Sequence, residues 1–299
     1  MAVNKEQKNI EHLIEEGLDA EKSELDLREN ELDDENIEQL VKSDKLKGVT
    51  ALFLEYNDIG DRGVGLLSEC EFLKHLTVLN MFKNQVSDEG VKVISTSKTF
   101  LNLSELILSD NKITSLGAGY LAESKTLANL VSLWVGDDLG DEGTITLAQS
   151  KTLTRLNLLN LYRNNISDEG AIAIAKSKNL DRLKELNLNW NYIQGEGVEA
   201  LAMSETLKNL TQLTMTYNPI GPKGARAIAN SKIFGNLELL DLFETEIKDE
   251  GARAIAESNT LTNLQTLVLI HNDISSGVQE LFQNNKKLKK LSNVIFKRG

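Results

Sequence analysis

Leu156 to Ile174 read LNLLNLYRNNISDEGAIAI, and Leu76 to Ile94 read LTVLNMFKNQVSDEGVKVI. Two further stretches, LSELILSDNKITSLGAGYL (Leu103 to Leu121) and LKELNLNWNYIQGEGVEAL (Leu183 to Leu201), obey the same rule, LxxLxLxxNxIxxxGxxxL. With the first Leu as position one, position nine falls at Asn30, Asn57, Asn84, Asn111, Asp137, Asn164, Asn191, Asn218, Thr245 and Asn272. The spacing is 27 residues, except 26 between Asn111 and Asp137, which makes ten copies. Leu291, Val294 and Phe296 then fit positions one, four and six of a terminal half copy. In LxxLxL the Leu alternates with variable residues, so a short strand has one apolar and one wet side. Position eleven adds an inward aliphatic. Position thirteen (Asp61, Asp88, Asp141, Asp168, Asp249, once Ser115) is expected to cap an Ala- and Ile-rich helix. No coil of this kind can bury its Leu face alone, so coils must stack. The expected product is an α/β solenoid with one parallel sheet and the helices as the opposite wall. Helices are wider than strands, so the stack should bend with the sheet on the concave side.

This pattern closely resembles the leucine-rich repeat family, over about Lys22 to Phe296. The 27-residue period and the GARAIA segments (Gly224–Ala229, Gly251–Ala256) resemble the ribonuclease-inhibitor-like subclass. Phrases such as SDEGAIAIAKSKNL are similar to repeat proteins that bacteria deliver into eukaryotic cells. The resemblance implies a curved horseshoe that binds other proteins without a cofactor, and an effector acting on a host protein.

The recurring polar residues read as structure. The position-nine amides (Asn57, Asn84, Asn111, Asn164, Asn191, Asn218, Asn272) are expected to turn inward and satisfy backbone groups where strands end, as a ladder between coils. Thr245 should weaken one rung. The missing residue near Gly136–Asp138 should tighten that turn. GDDLGDEG, Gly136–Gly143, fails the calcium-loop spacing, since Leu139 stands where an oxygen ligand is needed and Glu142 where the sharp-turn Gly belongs. The position-fifteen glycines occur one per coil, which fits close helix packing and no phosphate loop. Cys70 and His75 read as a core thiol and a surface imidazole, and no GxSxG occurs. The Asn102, Asn165 and Asn209 glycan triplets are expected by chance. We therefore expect no catalytic residue, no metal and no cofactor.

Composition agrees. The chain has 299 residues, one Cys, two Pro and a formal net charge of −12. That argues against nucleic acid or an anionic membrane as partner. With no run of about 18 apolar residues and no secretory signal, the expected location is the cytoplasm, or a host-cell cytosol for a delivered effector. Residues 1–21 read as a cap helix, amphipathic from about Asn4 to Ala20, and 22–299 as one repeat domain. Lys286, Lys287, Lys289, Lys290, Lys297 and Arg298 surround the last strand, where charge guards an open edge.

Function is expected on the outward strand positions three, five, seven, eight and ten. Fourteen carboxylates and four Lys or Arg fall there. Both Trp fall there too. Phe53, Tyr56, Phe82, Ile107, Trp134 and Tyr162 come from coils two to six, and Trp190, Tyr217, Phe243, Glu244 and Ile270 from coils seven to ten. Trp134, in the shortened copy, should be the more accessible ring. Interfaces are enriched in such rings. The expected function is a monomeric protein-binding module whose acidic, aromatic-lined concave face takes a partner with a basic contact patch. Alternatives are a substrate-recognition arm of a ubiquitin-ligase-type complex, or a GTPase-regulating scaffold.

Overall fold

The computed structural model describes residues 8–283 and 285–297. Asn4–Gln7 of the expected cap helix and Arg298 of the basic cluster lie outside them. Twelve strands form one sheet in strict chain order. Ten successive parallel pairings keep one register, so that Leu25 pairs with Leu52, Leu52 with Leu79 and Leu79 with Leu106. A helix follows each of the ten repeat strands, as in Asp61–Glu69, Asp88–Thr96 and Asp168–Lys176. Positions one, four, six and eleven supply a single continuous core; Leu79, Leu106, Leu133 and Ile166 have essentially no exposure. Each such side chain contributes roughly 1.5–3 kcal/mol by leaving water.

The front differs from expectation. The cap helix runs Ile10–Gly17, with Ile10 and Ile14 buried. It stops short of Ala20 because Leu18–Asp19 turns back as a strand antiparallel to Glu24–Asp26. Gly17 is required at that turn, since a Cβ there would lie 2.1 Å from the Asp26 carbonyl oxygen. At the other end Asn293–Ile295 pairs with Thr266–Val268, and its outer edge has no strand partner among the described residues.

Each position-nine Asn ties two coils. Asn191 is typical: its Oδ1 accepts from the backbone N–H of Asn164 and Ile166, both at 3.0 Å, and its Nδ2 donates to Leu161 O and Leu188 O. Asn57, Asn84, Asn111, Asn164, Asn218 and Asn272 make corresponding bonds. Thr245 cannot reach as far. Its hydroxyl meets Leu242 O at 2.8 Å, and the Ile220 N–H of the coil before turns to Asn218 O.

The position-thirteen Asp residues do not cap their own helices. Position twelve does that, through Asp33, Ser87, Thr114 and Ser167. Each Asp instead reaches forward to the next coil. Asp61 Oδ1 accepts from Ser87 N at 2.7 Å and Gly90 N at 3.0 Å, and its Oδ2 accepts from the Ser87 hydroxyl at 2.5 Å. Asp34, Asp88 and Asp141 likewise reach positions twelve and fifteen, while Asp168 and Asp249 are bonded to position twelve. A carboxylate is favourable there because the first N–H groups of a helix carry partial positive charge and lack partners. Where an Asp precedes, this explains the position-fifteen glycine: a Cβ on Gly90 would meet Asp61 Oδ1 at 2.5 Å, whereas Gly251, after Pro222, instead lies against Ala225 and Ile247. Where the preceding coil has no Asp (Ser115, Gly195, Pro222), position twelve turns left-handed, at Gly140, Gly221 and Lys248.

Candidate functional site

The strands hold positions five, seven and eight toward the inner side of the sheet. Position eight is left-handed in nine coils, with φ of 51 to 57° at Glu29, Tyr56, Lys83, Asp110, Arg163, Trp190, Tyr217, Glu244 and His271. Each of these side chains is thereby turned out at the strand's end. The fifth coil is the one shortened here, and Gly136 passes directly to Asp137. Gly136 is needed, since a Cβ would meet Asn164 Nδ2 at 2.5 Å.

The inner face has two differently built ends. At the front, Tyr56, Phe82, Ile107 and Trp134 line a cavity of about 820 Å³, shared with Asp26, Arg28, Glu55 and Asn80 and bounded by Leu13, Glu16 and Gly17 of the cap. Tyr56 and Phe82 meet edge to face at 5.3 Å. Arg28 is held by Asp26 (2.5 and 2.9 Å) and lies 6.0 Å from the Phe53 ring; Lys83 Nζ lies 5.0 Å over Tyr56. Glu55 is only 7% exposed. Its Oε1 accepts from Asn80 Nδ2 at 2.6 Å, while the buried Oε2 has no partner. Burial pushes this carboxyl upward, against a smaller opposing pull from Arg28.

At the back the rings pack on one another in a tilted row, at interplanar angles of 33°, 53° and 48°. Centroids lie 4.0 Å apart for Trp190 and Tyr217, 5.1 Å for Tyr217 and Phe243, and 4.9 Å for Phe243 and His271. Glu244, exposed, stands 3.3 Å from His271 Nδ1. Phe243 and Ile270, expected on the accessible surface, are buried at 5% and 6% exposure. Position seven lies under the position-eight side chains of its neighbours, and the rings of Tyr217 and His271 flank Phe243. Tyr162 is half-buried between the two ends. Trp134 is also half-buried, whereas Trp190 is 47% exposed, so the shortened coil does not carry the more accessible Trp. Trp134, at position five, is the last residue of its strand and pairs with Ile107 on one side and Asn160 on the other.

Sequence reasoning missed three things. Tyr192, at position ten beside Trp190, is 62% exposed and was readable from the repeat register. Asn80, Asn160, Asn187 and Asp241, at position five, fold back to accept the N–H of position seven in their own coil, a local turn that occupies one side-chain oxygen of each. Asp137 is the third. It stands where other coils have Asn, its Oδ2 is buried without a partner, and burial followed by the nearby Asp110 carboxylate pushes its pKa up to about 7. The Asn111 N–H and Arg163 pull more weakly the other way.

Other candidates resolve as packing. Cys70 is buried with its thiol pushed up by desolvation, which is the opposite of an activated nucleophile. Among the described residues no group of three or more His, Cys, Asp or Glu is placed to hold a metal ion, and no helix is long and apolar enough to cross a membrane.

Seven stretches, 49–68, 72–95, 101–122, 149–175, 183–202, 206–229 and 236–256, match a family model described as a leucine-rich repeat. No curated protein matches the sequence. Among solved structures, an internalin from Listeria monocytogenes aligns over 89% of this chain and 95% of its own, at 19% identity and a TM-score of 0.36.

Proposed function

This chain belongs to the leucine-rich repeat family, and we propose that it is a non-catalytic module that takes a protein partner on its strand-lined inner face. The observation that carries the reading is the succession of outward aromatic side chains, Tyr56, Phe82, Trp134, Tyr162, Trp190 and Tyr217, on neighbouring coils of one sheet. Single surface rings are ordinary; a row is not, and truncating such anchors is what usually removes binding energy. Fourteen carboxylates against four Lys or Arg at the outward strand positions support a partner that is basic where it docks. The resemblance of SDEGAIAIAKSKNL to repeat proteins that bacteria deliver into eukaryotic cells supports a partner in a host cell, met in its cytosol.

The test is a titration of an affinity-captured partner against the wild type, Trp134→Ala and Trp190→Ala. Each variant should weaken binding by about 2 kcal/mol or more. Lys125→Ala and Lys176→Ala, on the helical side, should bind as wild type does. Added salt should slow association. If both Trp variants bind like wild type, the inner face is not the site.

A further inference from the structure

Four carboxylates (Glu16, Asp26, Glu29, Glu55) and one guanidinium line the front cavity, and Asp26 already engages that guanidinium. Three rings share the same walls. We propose that this cavity receives the side chain of one lysine of the partner, its ammonium bonded to Glu55 Oε2 and set among Tyr56, Phe82 and Trp134; this rests on the protein-binding reading above.

Glu55 carries the argument. A carboxylate 93% withdrawn from solvent is costly unless its oxygens are bonded. Asn80 satisfies Oε1, while Oε2 is buried and unpartnered on a residue that lines a cavity large enough for a side chain, so a turn of the Glu55 side chain must present it to the ammonium. A cation is the group such an oxygen lacks. Lysine fits better than arginine because only one oxygen is free. A guanidinium gains most from two parallel bonds to one carboxylate, whereas an ammonium is a point charge satisfied by one acceptor and aromatic faces. Rings at this end already attract cations within the chain: Lys83 lies over Tyr56 and Arg28 near Phe53. The four-carbon lysine stem would cover Ile107 and the ring edges, as such stems do on apolar surface. The arriving charge would offset the burial that pushes the Glu55 carboxyl upward.

The experiment uses the full chain and three probes: the Nα-acetyl N-methylamides of lysine, arginine and norleucine. The readout is the indole N–H resonance of Trp134, identified by its loss in Trp134→Phe. The lysine probe should shift it saturably, and norleucine should not. Glu55→Gln, which keeps an oxygen for Asn80, should weaken the lysine probe roughly tenfold, the scale of one charge-assisted hydrogen bond. If Glu55→Gln fails to fold, Trp134→Leu serves in its place, read at Phe82 and Ile107 amides, and should also weaken the probe. An unmoved indole, equal binding of norleucine, tighter binding of arginine, or a folded Glu55→Gln that binds lysine as wild type does each overturns the proposal. The two readings fail separately. A partner weakened by Trp190→Ala with no lysine shift removes the pocket and keeps the face. A lysine shift with a partner indifferent to both Trp variants keeps the pocket and removes the face.

Discussion

Coils one to four and coils seven to nine are joined by different means. In the first group every junction has an Asp carboxylate reaching from one helix start to the next, through Asp34, Asp61 and Asp88. On the inner side these coils leave a cavity. In the second group both junctions lack that Asp, because Gly195 and Pro222 occupy its position. Those same two junctions carry the packed rings, Trp190 on Tyr217 and Tyr217 on Phe243. Adhesion between coils has moved from the helix starts to the inner face. A row of rings that looks uniform in sequence is therefore two objects: walls of a hollow at the front, and a paved, partly structural surface at the back.

The largest expected effect tests the paving. Phe243→Ala should cost about 3 kcal/mol or more of stability, the usual price of truncating a buried ring, measured by chemical denaturation. Binding per folded molecule should hold, since a partner can touch little of Phe243. A cost below about 1 kcal/mol would mean that the back coils do not rely on their rings.

Next comes Asn191→Ala, where coil seven, the first of the back group, meets coil six. It removes an amide that serves two N–H groups and three carbonyls. Stranding such buried groups costs roughly 1–3 kcal/mol. Because the rung supports neither surface directly, partner affinity should be unchanged. Lost binding with unaltered melting would reverse the assignment of the ladder to structure.

Much of this contrast was open to sequence reading and part was not. The 27-residue register assigns strand, turn and helix, because burial of Leu and Ile at fixed positions tolerates no other threading. Inward Asn residues follow from the same register. The forward reach of Asp61 is not legible locally, since its partners Ser87 and Gly90 are 26 and 29 residues away. Yet the pairing was written there: each coil lacking Asp is followed by Gly140, Gly221 or Lys248. The cavity was not readable, because it depends on which outward side chains lean together. Nor was the burial of Phe243, which neighbours in two other coils decide.

A smaller effect separates the regions by pH. Asp137 closes the front group, and its carboxyl has a folded-state pKa of about 7 against an ordinary 3.8. A raised folded value means that the folded state holds the proton longer. Stability from this group is thus full below about pH 4 and is lost as pH rises through about 7. Asp137→Asn restores the amide used by other coils and removes this slope. The variant should gain on wild type in melting temperature between pH 5 and pH 8. Parallel wild-type and variant curves over that range would show that Asp110 and burial do not hold the proton on Asp137.

The smallest effect tests the rule that links the two kinds of junction. Lys248 starts its helix with φ of +56° because Pro222, in the coil before, offers no carboxylate to its N–H. Gly140 and Gly221 meet the same deficit with φ of +59° and +61°. A left-handed residue with a Cβ costs roughly 1–2 kcal/mol, and the extra unfolded-state freedom of glycine returns about half of that. Lys248→Gly should therefore stabilise by on the order of 0.5 kcal/mol. The same change at Ser87 should have the opposite sign. Its backbone is extended at φ −102°, and its hydroxyl both meets Asp61 Oδ2 and receives the Glu89 N–H. Ser87→Gly should thus destabilise by about 0.5–1 kcal/mol. The pair is read by denaturant midpoints at constant slope, and a common sign for both variants would break the link between a missing Asp and a left-handed helix start.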